Sequence, residues 1–130
     1  MKFGYTIVYV PDVTKSVEFF EQAFGLARRF VHESGDYGEL ETGDTTLAFA
    51  AISLSATNLP EGVLAPVASD LPVGIEIALV TDDVQGACVS AADRGAEVLA
   101  APAQKPWGQT VAYVRCPDGT LVELCTPISS

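Results

Sequence analysis

The chain has 130 residues, with 17 acidic side chains against 7 basic ones and a formal net charge of −10. That length predicts one domain or two small modules, and 48% hydrophobic content excludes a disordered acidic tail. So negative a surface repels phosphate backbones and anionic lipid heads, which argues against nucleic-acid and membrane partners. A small neutral or cationic molecule, or another protein, fits better.

Met1-Lys2-Phe3 leads directly into a strand-like pattern, so no signal peptide is expected. No apolar run reaches the ~18 to 20 residues of a membrane helix. Cys88, Cys116 and Cys125 are odd in number and form no CxxC pair. This predicts neither a disulfide framework nor a structural zinc site, and makes a cytoplasmic location the expectation.

Phe3 to Val10 is rich in β-branched and aromatic residues and ends at Pro11-Asp12, which predicts a buried strand. Val13, Val17, Phe20 and Phe24 then recur at helical spacing, with Asp12 as cap and Gly25 as left-handed stop. Arg28–Glu33, Gly38–Glu41 and Thr45–Ala51 read as three strands separated by turn-forming residues. Adjacent strand residues point to opposite faces, so only one of Arg28 and Arg29 is expected on a given face.

The plan then repeats. Val73 to Val80 predicts a strand, Val84 to Arg94 a helix with Val84, Cys88 and Ala91 on one stripe, and Gly95 its stop. Glu97–Ala100, Gln109–Arg115 and Thr120–Cys125 complete the second set, the last two joined by Pro117-Asp118-Gly119. Gly4, Ile7, Val10 and Gly25 match Gly74, Ile77, Val80 and Gly95 at a constant offset of 70, as an internal duplication would give. The expected architecture is therefore α+β. Two tandem βαβββ modules, about 1–52 and 73–130, build a curved mixed sheet around a concave cavity. The Pro-containing stretch of about 53–72 has no clear period and is expected to be a lid, linker or dimer-contact arm.

Tyr9-Val10-Pro11-Asp12 running into Ser16-x-x-Phe19-Phe20, the stop at Phe24-Gly25-Leu26, and the ending Pro117-Asp118-Gly119-Thr120-Leu121-Val122-Glu123-Leu124 carry a resemblance. The chain resembles the vicinal oxygen chelate superfamily of glyoxalase I, bleomycin- and fosfomycin-resistance proteins and extradiol dioxygenases. The resemblance implies a small-molecule site and, for a chain of this length, a homodimer. Metal-dependent members place His or Glu ligands on the first, fourth, fifth and eighth strands. Those positions fall on Tyr5, near Ala48, on Glu76 and on Glu123. Two carboxylates and a phenol suit Fe, Ni or Zn poorly, because these ions favour imidazole.

The resulting expectation is a metal-independent binding protein that sequesters an aromatic or cationic natural product and uses no cofactor. Its ligand-binding candidates are Tyr5, Phe30, His32, Tyr37, Phe49, Glu76, Trp107, Tyr113 and Glu123. Glu76 stands out as a charge between Ile75 and Ile77, costly without a partner. His32 is the only histidine, and Trp107 the only tryptophan, placed just before the seventh strand. The alternative is a lyase, isomerase, thiol transferase or dioxygenase in which Glu76 and Glu123 bind a divalent Fe, Mn, Ni or Zn. Cys116 has no adjacent histidine or helix start to activate it, which argues against a nucleophilic role.

Overall fold

In the computed structural model residues 1–128 are described, and Ser129 and Ser130 of the second predicted module lie outside them. The chain divides into two compact units, Met1–Ser69 and Asp70–Ser130. Each is a βαβββ module, so the α+β class and the tandem plan hold.

The first unit runs β1 (Tyr5–Val10), α1 (Val13–Phe24), β2 (Ala27–Val31), β3 (Tyr37–Glu41), β4 (Thr46–Ala51) and α2 (Ile52–Asn58). Its strands lie in the order β1-β4-β3-β2, with β1 parallel to β4 and the others antiparallel. Asp12 caps α1 by accepting from the Lys15 N–H at 3.1 Å. Gly25 stops the helix at φ 71°, a left-handed conformation that costs other residues more. The predicted stripe is the core: Val13, Val17 and Phe20 are buried, and the Phe20 ring meets Phe49 of β4 at 5.1 Å. At Gly38 of β3 the helix leaves no room, since an added Cβ would lie 3.1 Å from Val13 and 3.2 Å from Val17.

The second unit runs β5 (Glu76–Val80), α3 (Val84–Asp93), β6 (Glu97–Gln104), β7 (Thr110–Arg115) and β8 (Leu121–Cys125), in the sheet order β5-β8-β7-β6. Asp83 caps α3 through the Gly86 N–H at 2.8 Å. Val84, Cys88 and Ala91 form its buried stripe, as the spacing predicts.

Three expectations need correction. The first is the constant offset of 70. Tyr5 of β1 pairs with Thr46 as Glu76 of β5 pairs with Leu121, and the capping residues are Asp12 and Asp83, so strand and cap correspond at 71. Ile7 and Ile77 are not equivalents, nor are Val10 and Val80. The stretch from cap to left-handed glycine is one residue shorter in the second unit, which restores 70 at Gly25 and Gly95. The offset of 70 holds at a shared irregularity just beyond: pairing shifts between Arg28 and Phe30 in β2, and between Val98 and Ala100 in β6. A duplicated β-bulge is stronger evidence of duplication than matched residue types.

The second concerns strand ends. β6 continues to Gln104, beyond the expected Ala100, because an edge strand tolerates Pro102 and a further register shift. β5 starts at Glu76 and not Val73, after a turn in which the Ile75 N–H donates to Val73 O. The third concerns the connecting stretch. It contains α2, which packs on β4 and β1, and a 3-10 turn, Pro66–Ala68, against β1. Its first part is thus built into the first unit.

Phe49→Ala removes the ring that Phe20 packs against. Chemical denaturation of this variant is expected to show a loss of about 3–5 kcal/mol.

Candidate functional site

Each sheet has one face covered by its helix, and the residues of interest lie on the other face. In the first unit β-bulge geometry decides which ones. Arg28 points to the helix side and binds Glu21 of α1 at 2.8 Å. Arg29 occupies the bulge and turns, with Phe30, to the open side. Its guanidinium grips both oxygens of Glu41 at 3.0 Å and donates to Glu39 at 2.9 Å and Thr46 Oγ1 at 3.1 Å. The Tyr37 hydroxyl donates to the other Glu39 oxygen at 2.8 Å.

Only 8% of Glu39 is exposed. A carboxylate so placed needs partners on both oxygens, and it has them. The bonds to Glu41 and Glu39 hold the Arg29 guanidinium firmly protonated. Glu41 is kept below the usual carboxylate range by Arg29 and then by the Gly43 N–H. Desolvation, followed by the bond to Glu39, pushes the Tyr37 phenol well up. Beside this network the Phe30 and Tyr37 rings lie 6.0 Å apart and tilted, while Tyr5 and Ile7 of β1 remain 58% and 44% exposed.

The second unit uses the same row of the sheet differently. In the first, Ile7, Ala48, Glu39 and Phe30 stand side by side across four strands; the corresponding row is Ala78, Glu123, Tyr113 and Ala100. The carboxylate has moved from the third strand of the module to the fourth. A tyrosine again serves it, since Tyr113 donates to Glu123 Oε1 at 2.9 Å. That bond and desolvation push the Tyr113 phenol up to about 12. Glu76 lies beside this pair. Desolvation, the negative charge of Glu123 and a hydrogen bond between the two carboxyls hold Glu76 above the usual range. Two acids this close favour sharing a proton. Cys125 lies on the same face, its thiol raised by burial and then by Glu123.

The candidates therefore separate. The first sheet brings together Tyr5, Phe30 and Tyr37, and the second Glu76, Tyr113 and Glu123. Phe49 is a correction: it is fully buried against Phe20, because its register puts it on the helix side, and it offers nothing to a ligand. His32 is corrected in its placement, which is not on the expected second strand. It lies beyond the end of β2, and its Nδ1 is engaged in the hairpin turn with the Ser34 N–H at 3.1 Å and Ser34 Oγ at 2.8 Å. Trp107 sits exposed at the tip of the β6–β7 hairpin. Cys116 is buried, and desolvation raises its thiol far from reactivity.

Sequence reasoning missed Arg29, Glu39, Glu41 and Thr46. The alternation Tyr37-Gly38-Glu39-Leu40-Glu41 could have placed three polar side chains on one face. Alternation from Arg28 puts Arg29 on that face as well, but nothing in the sequence marked the bulge that turns Phe30 to the same side.

The residues do not suit a catalytic metal. The four ligand positions supply Tyr5, Ala48, Glu76 and Glu123, with no imidazole among them, and Glu123 already accepts from Tyr113. Among the described residues no three His, Cys, Asp or Glu side chains come together as a metal-binding group.

This tandem βαβββ plan is that of a known class. The chain belongs to the Glyoxalase/Bleomycin resistance protein/Dioxygenase superfamily, whose family model matches residues 2–124. A glyoxalase-related enzyme from Fulvimarina pelagi shares the fold with a TM-score of 0.81 and 17% identity, covering 98% of this chain and 88% of that one. A family enzyme from Burkholderia phytofirmans PsJN aligns at 0.80 and 18%, covering 97% and 98%. TioX from Micromonospora sp. ML1 aligns at 0.70 and 18%, again covering 97% and 98%. At such identities the likeness is one of fold. No curated protein matches the chain. Among the described residues no helix is long and apolar enough to cross a membrane.

The raised Glu76 gives a pH signature. The folded protein keeps a proton on Glu76 after the unfolded chain has lost it. Its contribution is therefore complete below the ordinary glutamate range and is lost as pH rises through the raised value. Glu76→Gln is expected to melt higher than wild type at pH 7.5, with the difference shrinking towards pH 4, in thermal melts across that range.

Proposed function

We propose that the protein is a metal-independent binder of a small molecule, aromatic or cationic in character, and sequesters it without chemical change. The observation that carries this is the donor set. Where metal-using relatives are expected to place imidazoles and carboxylates, this chain has a phenol, a methyl group and two glutamates. One of those glutamates is committed to a tyrosine.

The open face of the first sheet suits an aromatic guest. Tyr5, Phe30 and Tyr37 supply ring surface, and in the network beside them Arg29 cancels one of the two negative charges of Glu39 and Glu41. The second sheet suits a cation. Glu76 and Glu123 place two negative charges side by side, and a ligand ammonium between them would relieve the repulsion that raises Glu76. The net charge of −10 would draw such a ligand in and keep the protein from competing for nucleic acid. Tyr5 and Ile7 exposed on β1, and Val80 at 65% on β5, favour a homodimer in which a second chain covers apolar side chains of one unit or the other.

Sequestration needs a Kd of roughly micromolar or better, about −8 kcal/mol. A cognate ligand at about 100 times its Kd would stabilise the fold by about 2.7 kcal/mol. A panel of planar aromatic cations, neutral aromatics and anions, tested by thermal shift, is expected to give stabilisation concentrated among the first two classes. Glu123→Gln is expected to reduce the response to cations selectively. Stoichiometric Fe, Mn, Ni or Zn in protein purified without chelator, lost on Glu123→Ala, would overturn the proposal. Sedimentation at micromolar concentration is expected to show a dimer.

A further inference from the structure

Trp107 is the only tryptophan, and 62% of it is exposed. An indole on a hairpin tip ordinarily samples several rotamers, but this one is tied down. Its Nε1–H donates to Gln109 Oε1 at 2.7 Å, and Gln109 Nε2 donates to the Thr126 carbonyl at 2.7 Å. The amide can face only one way, because reversal would set oxygen against oxygen and nitrogen against N–H. Thr126 is itself fixed to Thr110, donating its N–H to Thr110 O at 3.0 Å and accepting from the Thr110 N–H at 3.0 Å through Oγ1.

The loop is equally defined. The Lys105 N–H donates to Gln109 O at 2.7 Å, the Gly108 N–H donates to Lys105 O at 2.9 Å, and Gly108 takes a left-handed φ of 99°. A chain of three hydrogen-bonded residues thus holds an exposed ring in one orientation. With its N–H already used, the indole offers a partner only its π face. That surface attracts flat rings, and cations above all. Holding the ring in advance removes the rotamer entropy that binding would otherwise cost.

We infer that Gln109 is a positioning residue, held by Thr126, that presents Trp107 as a stacking platform for a planar aromatic cation. The inference rests on the small-molecule reading above and adds to it a residue that touches no ligand itself.

Because Trp107 is the sole tryptophan, its fluorescence reports on the platform directly. Time-resolved anisotropy of wild type, Gln109→Met and Gln109→Glu measures indole mobility. Polarisation of the dye proflavine gives the affinity of each, with Trp107→Ala alongside. Gln109→Met should free the indole and weaken proflavine by about tenfold, the size expected for one stacked ring. Gln109→Glu keeps an acceptor for the indole N–H but sets its second oxygen against the Thr126 carbonyl, so it should leave the indole more mobile than in wild type if the Thr126 bond is what holds the platform. Trp107→Ala should weaken the dye at least as much as Gln109→Met, and this comparison stands even if Gln109→Met misfolds.

Unchanged anisotropy in Gln109→Met would overturn the positioning role. Unchanged affinity in Trp107→Ala would overturn the platform while leaving the small-molecule reading intact. No saturable dye binding by wild type would overturn the ligand class and weaken the reading it rests on, and the anisotropy comparison would still decide the role of Gln109.

Discussion

In each module one long helix, α1 or α3, lies across the four-stranded sheet, and a helix can cover only one side of it. Phe20 against Phe49 in the first unit, and Cys88 and Ala91 in the second, consume that single opportunity for apolar burial. Every strand is therefore left with a second face that the fold must satisfy by other means. The rest of the molecule follows from how the two sheets do so. The first fills its open face with a closed ionic network under aromatic rings. The second leaves two acids facing each other.

The difference comes from moving a carboxylate by one strand within a duplicated frame. On β3, Glu39 lies between Tyr37 on its own strand and Arg29 on the bulged edge strand, and both of its oxygens are bonded. On β8, Glu123 is bonded by one tyrosine and, among the described residues, by no arginine, and its closest charged partner is Glu76. The first arrangement has an arginine bridging its two acids. The second has none among the described residues, and the proximity of its acids raises Glu76 above the usual carboxylate range. The same scaffold thus carries an arginine-bridged network in one half and a pair of neighbouring acids in the other, by placement of three or four side chains.

Much of this is legible in the amino-acid sequence. The two helices, their aspartate caps and glycine stops, and most strands follow from local rules, because capping and apolar periodicity act within a few residues. Glu76 is legible for a related reason: a charge amid Ile75 and Ile77 has no bland environment within its own strand. What the sequence does not reveal depends on register. The bulge at Arg29 is a property of two strands together, and the inserted residue reverses the face of everything beyond it. The same limit explains Phe49, an aromatic that reads as available yet falls on the helix side. It explains the duplication as well, where a one-residue contraction makes Ile7 and Ile77 look equivalent although they face opposite ways.

The contrast between the two acids also changes the meaning of the chain's charge. Glu39 and Glu41 contribute to the −10 arithmetically, but Arg29 cancels much of their field where a ligand would feel it. Glu76 and Glu123 behave oppositely. They are a small share of the total, yet their mutual repulsion is confined to one face of one sheet, and among the described residues no basic side chain bonds to either acid. A cation arriving there gains two attractions and removes one repulsion, a larger change than the same cation gains at a solvated surface carboxylate. On the second sheet the acidity is concentrated where Glu76 and Glu123 meet diagonally across β5 and β8, with Tyr113 standing in the row position that Glu39 holds in the first.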